Sequence, residues 1–123
     1  MRDVETNIIV GKSKTFALRC IRLYKLLTQE RQEYVLSKQL LRCGTSIGAN
    51  IKEALRGQSR ADFGAKMNIA LKEASEAEYW LELLSETDYL TSNESASILK
   101  DSRELLMLLT AIVKTTFSSS RNS

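Results

Sequence analysis

A chain of 123 residues with 43% hydrophobic and 27% charged side chains has the material for one core and one soluble domain of ordinary size. It has no proline and only five glycines, and no apolar run nears the roughly 18 residues of a membrane span, which argues against sheet-rich and transmembrane folds. Net charge is only +3, but residues 1–60 hold 12 Lys/Arg against 5 Asp/Glu while residues 61–123 hold 6 against 10, so the halves carry +7 and −4. Such asymmetry describes either an anion-binding face or two halves that attract one another.

The opening residues, Met1-Arg2-Asp3-Val4-Glu5, are charged and lead only into Ile8-Ile9-Val10, which is no secretory signal, and residues 1–10 read as a short lead. Helix 1 is expected from about Lys12 to Gln32, with Phe16, Cys20, Leu23, Tyr24 and Leu27 on one face and Lys14, Arg22 and Lys25 on the other. Helix 2 is expected from about Leu36 to Arg56. Leu36, Leu40, Ile47, Ile51 and Ala54 form its apolar stripe; Lys38, Arg42, Lys52 and Arg56 share a basic one within a ~80° arc. Gly44 and Gly48 suit the close approach of another helix, although Gly44-Thr45-Ser46-Ile47-Gly48 also resembles a loop that would break helix 2.

Helix 3 opens on a capping-box-like Ser59 and Asp62, and Phe63, Met67, Ala70, Ala74, Ala77, Leu81 and Leu84 then alternate steps of four and three, the pattern of a bundle seam. Its alanines are expected to face Gly44 and Gly48. Helix 4 opens on Thr91 and Glu94 at capping-box spacing, carries Ile98, Leu99, Leu105, Leu106, Leu109, Ile112 and Val113, and is expected to end near Thr116, leaving 117–123 as a disordered tail. Short connections force neighbouring helices antiparallel, giving an all-α, up-down-up-down four-helix bundle as a single domain.

No reaction chemistry is evident. Without histidine the chain lacks the Glu-x-x-His pairs of di-iron bundles, and no metal site or cofactor is expected. Cys20 and Cys43 lie on or beside apolar stripes, have no histidine base, and read as reduced core thiols in a cytoplasm. No P-loop is present, so the chain is not expected to be an enzyme.

Three surfaces remain. Ile69, Trp80 and Leu83 project away from the helix 3 seam and suggest an interface for oligomerisation, or the edge of a wide core. Ser46 and Asn50 lie on the flank of helix 2, where Glu73 or Glu76 across the gap is expected to satisfy the Asn50 amide, as an orientation-fixing polar contact. The basic residues Lys38, Arg42, Lys52 and Arg56, with Lys14, Arg22 and Lys25, are the candidate phosphate contacts, or else a solvated face; no aromatics interleave them.

The run Ser46-Ile47-Gly48-Ala49-Asn50-Ile51-Lys52-Glu53-Ala54, then Ser59, Asp62-Phe63 and Ile69-Ala70-Leu71, resembles the bacterial four-helix-bundle proteins found in intervening sequences of 23S ribosomal RNA genes. The similarity covers roughly Phe16 to Ile112. Where that family commonly has Gly after the Glu, this chain has Ala54, which would lengthen helix 2. The resemblance implies an up-down bundle assembled as a ring-like homopentamer. It also implies kinship with the accessory proteins of diversity-generating retroelements, which bind a reverse transcriptase and its RNA through a basic surface. It implies no enzyme. Two functional classes follow: a bundle that contacts structured RNA or a nucleic-acid-handling partner, and a protein-only scaffold.

Overall fold

Helix formation begins earlier in the chain than its apolar residues advertise. The computed structural model describes residues 4–122, with side chains throughout except at 5 and 119–122. Within that span α1 is Val4–Gln29, α2 Leu36–Leu55, α3 Arg60–Glu86 and α4 Ser92–Asn122. No strand forms among the described residues, and no helix is long and apolar enough to cross a membrane.

In α1 the buried residues Ile9, Phe16, Cys20 and Leu27 follow steps of seven and four, so one face meets the core along the whole helix. This corrects the expected lead over 1–10, of which 1–3 lie outside the described residues. The stripe continues through Thr6 and Ser13, both buried, whose polar side chains disguise it. Ser13 Oγ donates to the Val10 carbonyl at 3.0 Å, so its hydroxyl is satisfied in the core.

The α1–α2 connection is fixed by Glu33. Its buried carboxylate accepts from the backbone N–H groups of Val35, Leu36 and Ser37 at 3.1, 2.9 and 2.6 Å, supplying acceptors that the first turn of α2 otherwise lacks. α2 then runs unbroken through Gly44 and Gly48, and ends at Leu55 rather than extending beyond Arg56. The expected pairing of those glycines with the α3 alanines is also corrected. A Cβ at Gly44 would overlap Cys20 Sγ, and one at Gly48 would sit 3.3 Å from Ser13 Oγ. The close approach is therefore between α2 and α1.

Ser59 caps α3, its Oγ accepting from Asp62 N–H at 3.0 Å. The seam residues Met67, Ala70, Ala74, Ala77, Leu81 and Leu84 are all buried. α3 closes in a Schellman arrangement: Asp88 adopts φ 67°, and Tyr89 N–H returns to the Leu84 carbonyl at 3.0 Å. A reciprocal capping box opens α4, Thr91 Oγ1 accepting from Glu94 N–H at 3.2 Å and Glu94 Oε1 from Thr91 N–H at 2.8 Å.

α4 does not stop near Thr116. It continues to Asn122, correcting the expected disordered tail, and Ser123 lies outside the described residues. Thr116 and Phe117 pack over Gly64 at the start of α3, where a Cβ would lie 3.2 Å from each. Each helix packs on its sequence neighbours, and α1 meets α4 to close the bundle; that last seam is the loosest. The architecture is an antiparallel, up-down-up-down four-helix bundle.

Candidate nucleic-acid interface

The charge asymmetry resolves once the ion pairs are located. Four cations of the N-terminal half are held by acids of the C-terminal half. Lys12 meets Glu104 at 2.8 Å, Arg19 meets Asp101 at 2.6 Å, Arg31 meets Glu94 at 2.7 Å, and Arg42 pairs with Glu76 and lies 3.5 Å from Glu73. The first two bridge the α1–α4 seam, the third ties the α1–α2 connection to the start of α4, and the fourth joins α2 to α3, so the halves do attract one another. The hydrogen bond to Glu94 raises the Arg31 guanidinium, and reciprocally the Arg31 hydrogen bond and the Thr91 N–H hold the Glu94 carboxyl down at about 2.

Other cations are left over. Among the described residues Lys14, Lys25, Lys38, Lys52 and Arg56 take part in no ion pair, and all are exposed. The contacts of Gly44 with Cys20 and Gly48 with Ser13 set the antiparallel register of the α1–α2 hairpin. In that register Lys14 and Lys52 share one end, flanking a groove of about 420 Å³ floored by Val10, Ala17, Gly48 and Ile51. Lys25 and Lys38 lie towards the α1–α2 connection, and Arg56 follows Leu55 at the other end of α2.

Two candidate phosphate contacts are not part of this face. Arg42 is held by the α3 carboxylates. Arg22 lines a separate cavity of about 230 Å³ between α1 and α4, with Arg19, Leu23 and Ile98. Sequence spacing placed both on outward faces but could not say which neighbouring helix each flank would meet.

The polar flank of α2 is also rearranged. Asn50 Nδ2 donates to the Ser46 carbonyl at 2.8 Å and Ser46 Oγ to the Arg42 carbonyl at 2.7 Å, both within α2. Glu73 and Glu76 therefore serve Arg42 rather than Asn50, which corrects the expected contact. Glu76 also accepts from Trp80 Nε1 at 3.1 Å, while the buried Glu73 Oε1 takes no hydrogen bond and meets Arg42 only electrostatically. The Ile69, Trp80 and Leu83 set divides: Ile69 is exposed, whereas Trp80 and Leu83 are half-buried and the indole packs against the core.

Burial pushes the Cys20 and Cys43 thiols up to about 12, so neither ionises near neutral pH. Among the described residues no group of three or more Cys, Asp or Glu side chains converges to hold a metal ion.

These features have relatives. The family model described as 23S rRNA-intervening sequence protein matches residues 5–111. The chain belongs to the 23S rRNA-intervening sequence protein family. A crystal structure of a protein of unknown function from the S23 ribosomal protein family of Bacteroides thetaiotaomicron VPI-5482 is 56% identical, with a TM-score of 0.88 over 90% of this chain and 99% of that one. No curated protein sequence matches. Of the residues behind the family resemblance, the run from Ser46 to Ala54 shapes the α1–α2 hairpin, where Gly48 allows the close approach to Ser13, Ile47 and Ile51 are wholly buried, and Ala49 and Lys52 line the groove; the others cap or lie within α3.

Proposed function

We propose that this protein is a non-enzymatic, self-associating bundle whose α1–α2 outer face contacts the phosphates of structured RNA. One observation carries the reading: after the interhelical ion pairs are formed, Lys14, Lys25, Lys38, Lys52 and Arg56 are exposed on the hairpin with no ion pair among the described residues, and Arg22 is likewise unpaired beside the α1–α4 cavity. Unneutralised cations on rigid helices suit sequence-independent phosphate contact, and a ring-like homo-oligomer, such as the pentamer the resemblance implies, would repeat a weak patch into a useful one. The kinship with retroelement accessory proteins, which the resemblance implies, would favour the same reading through their basic surface.

The test is retardation of an RNA hairpin across a salt series, wild type beside a Lys38→Glu/Lys52→Glu variant. Arg42 is left intact because reversing it would set three acids together. The wild type should bind at low salt with affinity falling steeply as salt rises, and the variant should show a shallower slope by roughly two units, about one per lost contact. No retardation at low salt would sink the reading. Self-association is checked separately by sedimentation, where Ile69→Asp should favour smaller species if this exposed residue lies in the contact.

A second reading, a protein-only scaffold, draws on exposed apolar side chains away from the basic face, notably Met107 at 72% exposure on α4.

A further inference from the structure

We propose that the groove between α1 and α2 is the docking site for an acidic amphipathic helix of a different protein. The proposal does not rest on the RNA contact.

The groove, about 420 Å³, exists because its walls lack bulk: Gly48 lies against Ser13, and Ala17, Thr45 and Ala49 leave the space above unfilled. Its floor of Val10 and Ile51 is apolar, and the adjoining outer surface of α1 exposes Leu18 and Ile21. A cleft between two antiparallel helices, lined by small side chains, accepts the side-chain ridge of a third helix. Such a floor offers nothing to a phosphate, and no aromatic lines it on which a base could stack.

Charge selects the partner. Lys14 and Lys52 stand on either side of the groove without an ion pair, so the incoming helix should carry Asp or Glu on both flanks of its apolar stripe. A second copy of this chain is poorly suited to supply them. Among the described helix-face acids, Glu53, Glu73, Glu76, Glu78, Glu82, Glu94, Asp101 and Glu104 are already in ion pairs, and the two that are not, Asp62 and Glu86, lie at opposite ends of α3, too far apart to flank one apolar stripe. A different chain with unspent acids fits better.

The probe is a fluorescent synthetic helix of about three heptads with a Leu/Ala stripe flanked by Glu, beside the same peptide flanked by Lys. Full-length protein is titrated by anisotropy. The Glu peptide should bind and the Lys peptide should not. Lys14→Glu/Lys52→Glu should weaken binding at least tenfold, and Ala49→Trp, which fills the groove from an exposed position, should abolish it while leaving helicity and thermal midpoint unchanged. Equal binding of both peptides, or Glu-peptide binding that survives Ala49→Trp, overturns the proposal. So does a shift of Ala49→Trp to smaller assemblies, which would assign the groove to a second copy. Retardation of the RNA hairpin without any peptide binding overturns it too, and leaves the phosphate reading standing.

Discussion

Gly11 and Gly44 are both helical glycines, yet the same substitution should move stability in opposite directions. A Cβ at Gly11 meets nothing within 4 Å, so Gly11→Ala should only reduce the entropy of the unfolded chain and stabilise by about 0.5–1 kcal/mol. At Gly44 the added methyl would drive into Cys20 in a closed interface, and Gly44→Ala should lose about 1–3 kcal/mol. Chemical denaturation of both variants checks the signs. The cause is checked by a cycle with Cys20→Ala: the Gly44→Ala loss should shrink by more than about 0.5 kcal/mol once the sulfur is gone. An additive result would place the strain elsewhere. Ser102 poses a different case. Its hydroxyl is buried on the core face of α4 with no hydrogen-bond partner among the described residues, so Ser102→Ala should raise the thermal midpoint, by about 1 kcal/mol of stability, rather than lower it. A loss would point to an ordered water holding that hydroxyl.

At the scale of the elements, the interior of each helix was legible and its ends were less so. The α3 seam and the Thr91–Glu94 box follow from spacing alone, because periodicity and capping are local rules. α1 was read short because Thr6 and Ser13 occupy core positions with polar side chains, and α4 because a serine-rich tail says nothing of Phe117 packing at Gly64. Glu33 was missed as a cap since it acts from the connection, although a glutamate three residues before Leu36 was there to be seen. Two of these termini titrate. Burial raises Glu33, but the N–H groups of Leu36, Ser37 and Val35 outweigh it and hold the carboxyl below its ordinary range, as Arg31 holds Glu94 near 2. A carboxyl depressed in the folded state contributes fully above its unfolded value of 4.5, and that contribution is lost as pH falls towards 2. The urea midpoint of the wild type should therefore drop across that window. Glu94→Gln should drop less, with the remainder due in part to Glu33; superimposable profiles would refute the assignment.

Over the whole molecule, the +7 and −4 halves expected from the sequence were real but ambiguous, and only the fold could divide them. Whether a helix-face arginine is free or paired depends on the flank of the neighbouring helix. That is a property of register, and it moved Arg42 out of the candidate interface while leaving Lys38 and Lys52 within it. The groove beside Lys52 was invisible for a similar reason, since it needs two helices drawn together at Gly48.

The loose α1–α4 seam has a kinetic consequence. Three of the four helix–helix interfaces join sequence neighbours, so most native contacts close short loops, and the chain has no proline to isomerise. Chains of this kind fold fast and in one phase. Only the return of α4 onto α1 must close a long loop, and it does so with the least packing to reward it. Docking of α4 on α1 should therefore follow the rate-limiting step. Ile98→Val, in the cavity beside Leu23 and Leu26, should quicken unfolding in stopped-flow measurements and leave the refolding rate nearly unchanged. A matched slowing of refolding would mean that the two ends of the chain meet before the barrier is crossed.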